Sequence, residues 1–454
     1  MKINKKNFII FSLFILLLIS MFYYIFSSID IINKNFEVIL TFIILMIIIL
    51  TGIFREKRTF TLNKTYWYFM LFFMFIAPLI QYLTNYSEWG YLINDNLYIS
   101  INVLLILFNL LYGVTYFIFN SKQKKIEYSN KKEDITLNKK VLNILFLLSI
   151  ISYLVLIKII GFKNLFIRTS NDFGVEDSAL NTILNNFMRA IPVYFSVYSI
   201  LYYKENKKGI TYVIISLIIT FLMNYPPALT RYWIGAIYIG IILVLIKEKL
   251  NSRTFDIFIV LVFLLIFPMF QFFKYNTLKD IRSDNLPLNS IQGIYDNPDF
   301  DAYSMFARAK IYTKSNGVTL GKQLLGTILF IIPRKVWVNK PIPSGELIAT
   351  NQNQSFTNLS CPFPAEGLIN FGIFGVIIYS IILGLLLSYL DNEYWKENQN
   401  KRFLIIYPFL IGFLIFILRG SFHPAIVFMF TFYLPMIVFD IFTKIFKKEK
   451  YIRE

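Results

Sequence analysis

The chain has 454 residues, of which 56% are hydrophobic and only 16% charged, against roughly a quarter charged in a soluble chain. Apolar runs of 18 or more residues recur, each long enough to cross a bilayer as a helix, so a soluble globular protein is excluded. The net charge of +18 does not mark a nucleic-acid binder. Its lysines and arginines gather in short segments between apolar runs, such as Arg55, Lys57 and Arg58 or Lys122, Lys124 and Lys125, as the positive-inside rule requires of cytoplasmic loops. One cysteine, Cys361, excludes an internal disulfide. One histidine, His423, excludes multi-histidine metal ligation.

In chain order, the pattern predicts an all-α integral membrane protein with about twelve transmembrane helices and both termini cytoplasmic. A basic start is followed by a first span, Phe8 to Ser28, which exceeds the roughly 7–15 residues of a signal-peptide core and is expected to stay as an anchor. Further spans are predicted over 36–53, 66–83 (carrying Pro78), 97–119, 141–160, 187–203 and 210–223. The Pro226-Pro227 turn then places Arg231 at the head of the eighth span, and the ninth covers 255–273. A long extracytoplasmic region, 274–366, separates it from the tenth, 368–389; the last two cover 403–418 and 425–446. The whole chain, 1–454, reads as one polytopic domain. Within the long region, the apolar stretch from Val318 is too short for a crossing and is expected to lie in the membrane plane or to re-enter.

Charge left outside the spans points to the chemistry. Arg168, Arg231, Arg308, Arg334 and Arg419 all fall on the outer side of this topology. A lone arginine there is ordinarily a snorkelling anchor, but a converging set suits a phosphate whose lipid tail stays in the bilayer, because guanidinium binds phosphate oxygens in pairs and never loses its charge. The segment FIIPRKVWVNKP sets Arg334, Lys335 and Lys340 around Trp337, as an interface anchor or as a sugar-stacking indole. Glu366, at the mouth of the tenth span, is either a helix-dipole partner or a general base for a hydroxyl nucleophile; Asp301 is a second, weaker carboxylate. Asp296, Asp299 and Asp301 read as a turn rather than a cation site. His423 reads as a capping or interface residue, and Gly367, Gly372, Gly375 and Gly384 as close helix packing.

Several of these stretches together resemble the bacterial oligosaccharide repeat-unit polymerases, the Wzy-type O-antigen and capsule polymerases. They are NYPPALTRYW with Arg231, FDAYSMFARA with Asp301 and Arg308, LGKQLLGTILFIIPRKVWVNKPIPSG with Arg334 and Lys340, and SCPFPAEGLINFGIFG with Glu366. RGSF at Arg419 matches less specifically. The chain departs from the commoner pattern at Val338-Asn339, where Pro-Gly would precede the Lys-Pro. The resemblance implies a glycosyltransferase of GT-C-like architecture working at the outer leaflet of the plasma membrane. Its donor and acceptor are undecaprenyl-diphosphate-linked oligosaccharides, with no cofactor, no nucleotide sugar and no metal, and with a chain-length regulator protein as an expected partner.

On that reading Arg231, Arg308 and Arg334, with Lys340 assisting and Arg168 and Arg419 nearby, hold the departing diphosphate. Glu366, or less directly Asp301, handles the acceptor hydroxyl, and Trp337 binds a sugar face. Two alternatives share the substrate. An O-antigen ligase performs the same step on another acceptor. A flippase or other transporter performs no bond chemistry, and is disfavoured because transporters place charge within their spans, which here read as nearly charge-free.

Overall fold

A computed structural model describes residues 34–85, 93–123, 137–167, 179–263, 300–396 and 401–453. Among these every regular element is a helix. The predicted first span, Arg168, Asp296 and Asp299 lie outside the described residues, as does the long region before Phe300.

The helices alternate in direction between an upper end, where α1 (Phe36–Arg55) begins, and a lower end, where it finishes. α2 climbs back over Leu62–Leu83, α3 (Asp95–Gln123) descends and α4 (Lys139–Ile160) climbs. α5 (Ala179–Asn206) descends, α6 (Ile210–Met223) climbs and α7 (Arg231–Ile246) descends from the Pro226–Ala228 turn. α8 (Ser252–Leu261) starts upward again. After Phe300 come three short upper-end helices, α9 (Ala302–Asn316), α10 (Lys322–Ile328) and α11 (Ser344–Asn351). α12 (Phe363–Trp395), α13 (Lys401–Arg419) and α14 (Phe422–Arg453) complete the bundle. Eight of these segments are long and apolar enough to cross a membrane, and α7 is a shorter apolar helix. Starts are set by side-chain caps that satisfy first-turn N–H groups: Asn35 accepts from Glu37, Thr61 from Lys64, and Asn251 with Thr254 forms a capping box.

α2 is the axis, with its apolar window wholly buried. Trp67 on it lies against Gly52 of α1 and Gly113 of α3, and any side chain at Gly52 would run into the indole. Pro78 has no N–H and would press on the carbonyl one turn earlier. The chain absorbs this in a π-helical stretch over Met70–Ile76, where Ala77 N–H reaches back five residues to the Phe72 carbonyl. α1, α4 and α6 instead turn large apolar side chains outward, among them Ile47, Leu147, Leu154 and Ile218, a face that only lipid would cover. One core gathers α1–α3, α9 and α12; a second gathers α5, α7, α13 and α14.

Two sequence expectations need amendment. α12 starts at Phe363 and is broken at Phe371–Gly372, Gly372 having φ 65° and ψ −144°, a backbone that a side chain would not tolerate. The break separates a short upper piece, 363–370, from the long crossing piece. It also frees carbonyls that the Val318–Gly321 turn uses: Thr319 N–H donates to Ile369 O at 2.8 Å and Gly321 N–H to Asn370 O at 3.2 Å. Gly367 and Gly375 meet backbone to backbone across the break, while Gly384 lies against α3. Second, the helices are not charge-free. Within the predicted spans, Asp256 pairs with Lys64 at 3.0 Å and Arg189 donates to the Met223 carbonyl at the end of α6; just past the predicted end of the tenth span, Asp391 is helical and fully buried.

Candidate functional site

Irregular backbone collects at the upper end: the broken α12, the Pro226–Ala228 turn, and the 317–362 segment with its short helices. Such backbone is tolerated at membrane depth only where protein buries it or where it lines a cavity. The hub is the turn between α13 and α14, residues Arg419 to His423, in which successive residues reach different elements.

Arg419 ends α13 with its side chain 12% exposed, and its Nη2 donates to Asp301 Oδ1 at 2.9 Å. Its Nη1 donates to the Tyr232 hydroxyl at 2.5 Å. The Tyr232 ring stacks on Phe416 with centroids 4.3 Å apart. Arg231, half-buried at the first position of α7, acts electrostatically on the same phenol. Asp301 sits at the start of α9, buried, and its Oδ1 also accepts from Ser360 at 2.9 Å. Arg308 lies two turns along α9 on the same side, fully buried, donating to Gln352 Oε1 at 2.5 Å.

Two residues further round the turn, Ser421 Oγ accepts the Gly345 N–H at 3.0 Å. A side chain at Gly345 would be driven into the Leu359 carbonyl and the Ser421 hydroxyl. Phe422 N–H donates to Glu366 Oε1 at 2.8 Å, and the Ser344 hydroxyl donates to Oε2 at 2.5 Å. Glu366 is thus buried on the short upper piece of α12, at 3% exposure. The buried Cys361 thiol lies beside it, and burial together with that carboxylate pushes the thiol well above its ordinary range. His423 bonds to the Gly326 backbone and feels the charges of Lys340 and Arg334.

Arg334 and Lys340 fold the 329–341 loop. Arg334 Nη1 donates to Lys340 O at 2.6 Å and Nη2 to Pro341 O at 3.4 Å; Lys340 Nζ donates to Phe330 O at 2.7 Å and Ile332 O at 2.9 Å. Burial, with Arg334 alongside, lowers the Lys340 ammonium from its ordinary value. Trp337 is half-buried on the same loop, whose Ile331, Val336 and Val338 point outward. The apolar stretch from Val318, expected to lie in the membrane plane or to re-enter, forms the single short α10 followed by this loop.

The structure therefore groups Arg231, Arg419 and Asp301 around Tyr232, sets Glu366 with Ser344 on the next residues of the hub, and puts Arg334, Lys340 and Trp337 on the adjoining loop. Tyr232, Ser344, Ser360 and Gln352 join the site without having been singled out in the sequence. A hydroxyl or amide gives no periodic signal, and only its neighbour's charge, as with Arg231 before Tyr232, could have flagged it. Arg189 did carry a signal, since an arginine inside an apolar span is itself a functional flag. Among the described residues no three His, Cys, Asp or Glu side chains come together to hold a metal ion.

Residues 361–450 match the family model described as O-antigen polysaccharide polymerase Wzy. Over this segment the chain is similar to a Wzy-type polymerase. No curated protein and no solved structure matches the chain. The Wzy-matched segment opens at Cys361, runs through Glu366 and the α12 break, and contains the whole Arg419–His423 hub. It supports, in general terms, a repeat-unit polymerase and hence a glycosyltransferase-type reaction in a multi-pass membrane protein.

Proposed function

We propose that this protein joins undecaprenyl-diphosphate-linked oligosaccharide repeat units into O-antigen or capsular polysaccharide at the outer leaflet of the plasma membrane, with twelve spans, cytoplasmic termini and a GT-C-like arrangement. One observation carries the reading: the family-matched segment supplies the turn whose Arg419 and Phe422 hold the buried carboxylates Asp301 and Glu366, with Arg231 acting on the Tyr232 phenol that Arg419 also bonds. Charged groups are here mounted on helix ends and loops, where a headgroup would arrive with its tail still in the bilayer.

In the step proposed, the anomeric carbon of the growing chain bonds to a hydroxyl oxygen of the incoming unit. Its bond to the lipid diphosphate breaks, and the electron pair leaves with the diphosphate. Arg231 and Arg419 face that developing charge, where one preorganised donor is often worth on the order of 3–4 kcal/mol; Arg308, Arg334, Lys340 and Arg168 complete the basic surround. Asp301, whose Oδ1 is occupied by Arg419 and Ser360, positions the arginine. Glu366 takes the hydroxyl proton, relayed by Ser344, and Trp337 offers a face to a sugar. The reaction needs no metal and no nucleotide sugar, and a chain-length regulator is the expected partner protein.

The test is reconstitution of the purified protein with lipid-diphosphate oligosaccharide, with and without chelator, alongside a deletion strain. Long polymer in both arms, and single-unit surface glycans in the deletion strain, are expected. Polymer that vanishes with chelator overturns the metal-free step. A deletion strain with no surface glycan at all overturns the polymerase reading in favour of a ligase or flippase.

A further inference from the structure

At the lower end, far from the hub, α4, α5 and α6 enclose a cleft of about 840 Å³. Its rim carries Lys139 and Lys208, both exposed, and its walls carry Tyr202, Tyr212, Phe146 and Asn143. The walls are built rather than incidental. Tyr212 donates its hydroxyl to Asn143 Oδ1 at 2.6 Å, tying α6 to α4. Gly209, at φ 88°, turns the chain between the Tyr202 and Tyr212 rings. Below the rim the lining becomes apolar at Leu147 and Ile215. From there two exposed ladders run toward the upper end, Leu147, Ile151 and Leu154 on α4 and Ile215 and Ile218 on α6.

A soluble anion would use the lysines and ignore the ladders, and a neutral lipid would do the reverse. Only an amphiphile with a negative head and long apolar tails uses both. Basic pockets between membrane helices, with headgroup-depth aromatics, hold anionic lipid heads in this way. We infer that the cleft between α4, α5 and α6 is a binding site for an anionic phospholipid of the leaflet at that end, its phosphate between Lys139 and Lys208 and its acyl chains along α4 and α6. The site is independent of the proposed polymerase reaction.

Delipidated full-length protein in neutral detergent, titrated with phosphatidylglycerol or with phosphatidylcholine of matched chains and read by native mass spectrometry, tests this. Phosphatidylglycerol should be retained at least about tenfold better than phosphatidylcholine, as expected for two lysines near a headgroup. The Lys139→Glu/Lys208→Glu variant should lose that preference. Lys57→Glu/Lys249→Glu, the same charge change at the same end outside the cleft, should keep it. Leu147→Gln/Ile215→Gln should weaken binding of both lipids, and inorganic phosphate should displace neither. All four lysines are exposed, so the charge variants fold, which size-exclusion profiles check. Equal retention by the cleft variant and its control, no preference between the lipids, or displacement by phosphate alone would each overturn the proposal.

Discussion

The bundle holds buried charge at both ends, and the two clusters are built differently. At the lower end Asp391 accepts from Leu62 N–H at 2.9 Å, Asn63 N–H at 3.2 Å, the Tyr116 hydroxyl at 2.6 Å and the Tyr407 hydroxyl. Arg58 beside it is paired with Glu56 at 2.8 Å and donates to Asn392 at 3.2 Å. That cluster is closed, because helix starts and phenols use up each carboxylate oxygen; it ties α2, α3, α12 and α13 together. The upper cluster spreads over a turn, a broken helix and loops, with half-buried Arg231 at its rim. Saturated charge on regular helices is a joint. Charge on irregular backbone at a rim is where the proposed reaction would receive its headgroup.

Paired substitutions give the largest test of that contrast. Asp301→Asn removes one charge from the upper cluster while keeping shape and the Oδ1 acceptor of Arg419 and Ser360; polymer should vanish while membrane-inserted protein remains. Arg419→Ala strands a buried carboxylate, so polymer loss should come with about 3–5 kcal/mol of destabilisation. Asp391→Ala should cost stability on the same scale, yet whatever protein survives should polymerise at the normal rate per molecule. Glycan banding normalised to folded protein separates these outcomes. Full-yield Asp391→Ala protein making no polymer would erase the distinction between the clusters.

The next effect concerns the second carboxylate. Ser344→Ala takes a hydrogen-bond donor from a buried Glu366, a loss of about 1–3 kcal/mol, and removes the proposed proton relay. Turnover should fall further than thermal stability does. If Ser344→Ala lowers Tm and activity in proportion, Glu366 is only a staple between α11 and α14. Gly345→Ala is the steric counterpart: its methyl meets the Leu359 carbonyl, and overpacking of this kind costs roughly 1–3 kcal/mol. The expected signature is a lowered Tm with both Asp301 and Glu366 chemistry impaired, because the displaced Gly345 and Leu359 adjoin Ser344 and Ser360, the hydroxyls that bond Glu366 and Asp301.

Much of this was legible in residue pattern, and the gaps have physical causes. Apolar runs located the helices to within a few residues: α6 occupies 210–223 as predicted and α4 differs by two residues at its start. α5 begins eight residues before its predicted start because Asn181, Asn185 and Asn186 are polar yet helical. The break at Gly372 was hidden, since a glycine among apolar residues signals packing as readily as a left-handed turn. Arg231, Asp301, Glu366 and Arg419 were visible as charges beside helix ends. Their partition was not: Arg334 and Lys340 turn back on their own loop carbonyls, and the hub role of RGSFHP depends on contacts 56 to 187 residues away in sequence. Hydropathy carries no record of such distances.

The smallest effect is on Cys361, whose thiol reports the upper cluster through its contact with Glu366. Burial and the neighbouring Glu366 hold its thiol pKa above the ordinary value of about 9. The folded chain therefore keeps this proton where the unfolded chain has released it. Stability should be unaffected below about pH 9 and should decline as pH rises beyond that toward the folded value, because unfolding then releases the proton. Maleimide at pH 8 should leave the native protein unlabelled and modify it after denaturation. Glu366→Gln removes the nearby negative charge but not the burial, so labelling should stay low while the alkaline decline, whose onset the unfolded thiol sets, ends at a lower pH and shrinks. Rapid labelling of the native thiol would mean that the upper end opens around Glu366, and the contrast with the sealed lower cluster would then be one of mobility as well as of backbone.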